Sequence, residues 1–148
     1  MEASRENFKY KEWLDAESMH LSTMDWLNNL NFIKDEQKFF EDLIDHYVWQ
    51  LVDSKNYPKS KELVDQLGKL KTNNTVLIEA LNLHRNDLEV LVDGIDELER
   101  EEMFKKTHLE FEKIYTDFVS DNKELKQELF DLVKAFMKED KKKKLLEE

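Results

Sequence analysis

Two glycines and one proline in 148 residues leave this chain almost nothing from which to build tight turns. Hairpins, sandwiches and barrels need a turn every few residues, often with a backbone conformation that glycine alone adopts cheaply. Most β architectures are thereby excluded, and helices remain. Nine Phe, four Tyr and three Trp supply bulky apolar material for a core. No repeat or shift in composition divides the chain, so one domain is expected over residues 1–138, with a charged tail over 139–148.

The charge balance narrows the function. Thirty-four acidic residues against 23 basic ones give a formal charge of −11, so a nucleic-acid backbone or an anionic membrane surface repels most of this surface. Neither partner is expected. The absence of Cys removes disulfides, thiol catalysis and cysteine-based metal sites together. Any metal must therefore use His and carboxylates. No stretch approaches the ~20 apolar residues of a membrane span, nor does the start of the chain carry an apolar signal core, so a soluble, cytoplasmic protein is expected.

Apolar spacing of three and four predicts helices over residues 8–30, 35–53, 60–98 and 100–138. Trp13, Leu21, Met24, Leu27 and Leu30 stripe the first. Asn28, Asn29 and Asn31 weaken its end, and Asp35 reads as the start of the second, through Phe40, Leu43, Ile44, Tyr47 and Leu51. Pro58 and Ser60 mark a loop and a restart. Thr72 to Thr75 either break the third helix or carry Asn74 in its stripe. The turn into the fourth helix falls between Asp93 and Glu102; Asp93-Gly94 is the local signal, while continued periodicity favours a later position. Lys141 to Lys144 sit among acids in a tail read as frayed. The expected fold is all-α, an antiparallel up-down four-helix bundle.

The four histidines carry the most chemical information, one on each predicted helix. His84 and His108 stand where clean apolar stripes call for apolar residues, and His20 and His46 lie among aromatic and aliphatic neighbours. A turn near residue 33 puts His20 and His46 at one height, thirteen residues to either side of it. The midpoint of His84 and His108 falls at 96, within the window for the other turn. Four imidazoles in an apolar interior each need a partner, and a shared divalent cation satisfies all of them. Glu112, four residues after His108, points from the same helix face and adds a carboxylate. Gln50 stands at the same offset from His46.

That order, His20, then His46 with Gln50, then His84, then His108 with Glu112, resembles the hemerythrin-like, or His-His-Glu cation-binding, four-helix bundles. The resemblance spans roughly residues 8–115. It implies a non-haem iron site of one or two ions, with zinc and manganese as competitors, that binds dioxygen or another diatomic, or senses or stores iron. It also implies metal ligation by His20, His46, His84, His108 and Glu112, with Gln50 beside the metal. Two positions depart from the family pattern. Gln50 replaces a bridging Glu, and the third helix lacks a second His, which leaves a one-metal or altered site open. Asp42, Glu17 and Asp87 are nearby acids that could compensate.

Ferritin-like di-iron proteins need two E-x2-H pairs where this chain has one, Glu17 with His20. Bis-His haem binding explains only two of the four histidines. Trp26, Phe39, Phe40, Tyr47, Phe104, Phe111 and Tyr115 are most simply core packing, with a dioxygen-sized pocket as the second reading. No nucleophile arrangement or phosphate loop is present in the sequence, so hydrolase and nucleotide-binding readings have no support. The competing reading from another class is a metal-free helical module that binds a protein partner through a helix face.

Overall fold

Asp15 starts the first helix by accepting a 2.7 Å hydrogen bond from the Ser18 N–H through its carboxylate. That bond satisfies an amide which the helix leaves without an internal partner, and it holds the Asp15 carboxyl below its ordinary range. The computed structural model describes residues 15–53, 55, 57–94 and 98–147. Among these the chain is all-helical: α1 spans Ala16–His46, α2 Val48–Val52, α3 Tyr57–Asp93 and α4 Leu98–Glu147. The part of the first predicted helix before residue 15 lies outside the described residues.

The expected turn near residue 33 is not there. Helix α1 runs without interruption through Asn31 and Asp35, so the first two predicted helices are one. The reason lies in the spacing of its buried face: Leu30, Ile33, Gln37, Phe40, Ile44 and Tyr47 are all buried and follow one another by three and four residues. Asn and Asp cost a helix only a few tenths of a kcal/mol each against Ala, less than the burial of Ile33 or Phe40 returns. The break comes at Tyr47, whose N–H still reaches the Leu43 and Ile44 carbonyls, both at 3.1 Å. The five-residue α2 follows it.

Helix α3 also runs unbroken through residues 72–75, carrying Asn74 in its buried stripe. Thr72 and Thr75 turn their hydroxyls back onto the carbonyls of Gly68 and Lys71, at 3.1 and 3.2 Å, and so fit the helix without competing with its amides. Pro58 sits in its first turn, where a missing N–H costs nothing. The helix ends at Asp93, with the Gly94 N–H on the Leu91 carbonyl at 3.3 Å. The Asp93-Gly94 signal therefore marks the end, and the later turn favoured by periodicity is corrected. Helix α4 extends past residue 138 to Glu147, so the tail read as frayed is helical.

The chain forms two compact units. Unit 1 comprises residues 1–31 and 76–116, and unit 2 residues 32–75 and 117–148. In unit 2, α1, α2, α3 and α4 close on one apolar core that includes Phe40, Leu51, Leu67, Leu129 and Phe136. Contacts there ascend along both α1 and α4: Gln37 donates to Asn122 at 3.2 Å, Phe40 meets Phe130 edge-on, and Tyr47 lies against Phe136. These stretches run in the same direction. In unit 1 the same holds, Trp26 stacking on His108 and Asn29 bonding Tyr115, while α1 and α3 meet in descending order, His20 with Glu89 and Met24 with Arg85. An up-down four-helix order would set the first and last helices against each other; without the turn in α1 they run together.

Beyond Phe136, every described residue but the half-buried Asp140 is exposed. Deleting residues 139–148 is therefore expected to leave the thermal midpoint unchanged to within ~2 °C, because almost no apolar burial is lost. A drop several times larger in a melt followed by circular dichroism would show that the end of α4 is docked.

Candidate functional site in unit 1

In unit 1 the spacing of α3 and α4 brings two of the predicted ligands together. The stripe Leu77, Leu81, His84 and Leu88 buries His84, and α4 buries His108 completely. His84 Nε2 and His108 Nδ1 stand 3.0 Å apart, with the rings 5.3 Å between centroids and tilted by 27°. Trp26 stacks on His108 at 4.7 Å, and on Tyr115 at 5.4 Å. Asn29 fixes the far end, its side-chain N–H donating to the Tyr115 hydroxyl at 2.7 Å. Phe111 covers His84 at 5.0 Å. The pair is thus clamped in an aromatic stack formed by residues of all three long helices.

Burial decides the charge state. Desolvation pushes the His84 imidazole below its ordinary pKa, opposed by the negative charge of Asp87. It pushes His108 down to about 4, with repulsion from His84 acting the same way. Both rings are neutral at pH 7, so one N–H donates across the 3.0 Å gap and the facing nitrogen accepts. That leaves the outer nitrogen of His108, Nε2, buried with no hydrogen-bond partner. One helical turn further, Glu112 Oε2 is in the same condition. An unpartnered donor or acceptor in the interior costs ~1–3 kcal/mol.

The other predicted ligands lie elsewhere. His20, also in unit 1, pairs with Glu89 at 3.3 Å. His46 is exposed, edge-on to Tyr47 at 4.8 Å, and belongs to unit 2, as does Gln50 in α2. Twenty-six residues of continuous helix, about seven turns, separate His20 from His46. The turn near residue 33 that would set His20 and His46 at one height is absent, since α1 is continuous there. Of the compensating acids, Asp42 is exposed in unit 2 and Glu17 is exposed, while Asp87 acts on His84 through its charge. Among the described residues, no group of three or more His, Asp or Glu is gathered closely enough to form a ready-made metal cage.

Sequence reasoning passed over Asn29, read only as a weak helix residue, and the buried Gln37–Asn122 pair of unit 2. The signal for the latter was present, since both stand at apolar positions of the three-and-four pattern. Trp26 and Tyr115, expected in the core, are half-buried, Trp26 stacking on His108 and Tyr115 on Trp26, and Phe39, also expected in the core, is exposed. Compared with protein-family models, curated proteins and solved structures, the chain matches none.

Proposed function

We propose that the chain is a non-haem metal-binding protein whose His84 and His108 hold one first-row divalent ion, iron by the resemblance, with zinc and manganese as competitors. The observation that carries this reading is the 3.0 Å separation of His84 Nε2 and His108 Nδ1. Two nitrogens each ~2.1 Å from an ion and at right angles to each other stand ~3.0 Å apart, so the pair fits adjacent positions on an octahedral metal. Glu112, one helical turn after His108 on α4, is the carboxylate assigned to the ion in this reading. Two imidazoles and one carboxylate suit iron(II) and leave positions for water, dioxygen or another diatomic. The metal would supply that binding chemistry. The protein's own part is to keep both imidazoles neutral and to hold His108 against Trp26 and His84. In this reading the protein is cytoplasmic.

Anaerobic titration of chelator-treated protein with iron(II), followed by elemental analysis after desalting, is expected to give one ion per chain. His84→Ala and His108→Ala should each abolish uptake, and Glu112→Gln should weaken it about tenfold or more, as a lost ligand does. Gln50→Glu should leave uptake unchanged, since Gln50 lies in unit 2. If the wild type takes up no metal, the two histidines are a hydrogen-bonded core pair, and the metal-free interaction module becomes the better reading.

A further inference from the structure

Charge is unevenly spread over this acidic chain. Residues 47–61 and 134–147 hold nine Lys and four acids, a local charge of +5 in a chain of −11. Both stretches belong to unit 2, and its core joins them: Tyr47 and Leu51 share an apolar cluster with Val133 and Phe136, and Tyr47 lies 6.1 Å from the Phe136 ring. The same end of unit 2 displays apolar side chains to solvent. Trp49 is 81% exposed and Leu146 87%, with Val48, Val52 and Leu145 also exposed. An exposed Trp with aliphatic neighbours, in stretches whose charged residues are mostly Lys, has the composition of a surface that rests in the headgroup layer of a bilayer.

We propose that this end of unit 2 docks on an anionic membrane surface, with Trp49 and Val52 entering the headgroup region and Lys141 to Lys144 attracted by the lipid charge. The basic residues of these stretches are all Lys. Lysine acts as a point charge suited to a diffuse surface potential, whereas reading individual phosphates of a nucleic acid favours the forked guanidinium of Arg. The remainder of the chain carries −16 and is repelled by the same surface, which restricts docking to this end. Among the described residues no helix is long and apolar enough to cross a membrane, so the association is peripheral. It departs from the expectation, drawn from net charge, that a membrane surface is no partner of this chain. It does not depend on the metal site.

The test is co-sedimentation of the full chain, in EDTA, with vesicles of phosphatidylcholine alone or with about 30% phosphatidylserine. At about 0.1 M salt the partition coefficient should be at least tenfold higher on the anionic vesicles, and this gain should be lost at about 0.5 M. Replacing Lys141 to Lys144 by Glu should remove the gain. Trp49→Ala should weaken binding severalfold, and a circular dichroism melt should show both variants folded, since the altered side chains are exposed. Equal partition on neutral and anionic vesicles, no binding to either, or undiminished binding by the charge-reversed variant would each overturn the proposal. So would binding to an RNA oligonucleotide without binding to vesicles, which would assign the patch to nucleic acid.

Discussion

Replacing Asp35 by proline is expected to lower the free energy of unfolding by about 3 kcal/mol or more, a large fraction of what a domain of this size possesses. Asp35 is exposed and lies in the interior of α1, so the change removes no packing. It acts through the backbone: the proline ring meets the carbonyl four residues earlier, at Asn31, and the amide at 35 no longer donates. Asp35→Ala at the same site should be neutral or slightly stabilising, because Ala is the better helix former. Urea unfolding of the three proteins measures the difference directly. The pair of variants separates the continuous helix from a chain that turns near residue 33. At a helix start Pro is tolerated, so a cost below about 1 kcal/mol would restore the turn.

The second large effect is expected in acid. His108 is fully buried and titrates in the folded protein at about 4, against 6.5 for an ordinary imidazole. Its folded-state value is depressed, so the unfolded chain takes up the proton first. Stability is unaffected above pH 6.5, declines as the pH falls from 6.5 towards 4, and is flat with respect to this group below that. Each pH unit in the window costs about 1.4 kcal/mol, for a total of about 3 kcal/mol. His84, shifted in the same direction by its own burial, adds to the loss. Carboxylates also begin to titrate in this range, which makes a comparison necessary. His108→Leu fills much of the same space and cannot take a proton. Between pH 7 and pH 4 in EDTA, the wild type should lose about 3 kcal/mol more than this variant. Parallel stability curves would mean that the imidazole is hydrated in solution.

The two experiments bear on the function as well. A bound ion at the pair would stabilise the folded chain by about 2.7 kcal/mol at a hundredfold excess over its dissociation constant. Because the histidines are already neutral at pH 7, little of that gain would be spent on displacing protons. If the acid sensitivity appears and metal stabilisation does not, the pair is a buried polar contact. Its role would then lie in fixing the register of α3 against α4, as Gln37 with Asn122 can do for α1 against α4 in unit 2.

The helical class, the buried faces of α3 and α4, and the inward placement of His84 and His108 were all determined by the sequence. Each rests on local facts: too few glycines and prolines for turns, and apolar residues returning every three or four positions. Whether a weak stretch bends or continues could be decided only by the tertiary structure. Asn28 to Asp35 and Thr72 to Thr75 look alike as a sequence, both rich in cap residues, and both remain helical because their neighbours Leu30, Ile33, Asn74 and Leu77 are held in a core. A cap preference worth ~1 kcal/mol yields to burial of several apolar side chains. At Asp93-Gly94 no comparable burial opposed the local signal: Val92 and Asp93 are exposed, and the chain turned where the sequence had marked it. With α1 continuous past Asn31, His46 and Gln50 belong to unit 2, and His84, His108 and Glu112 to unit 1.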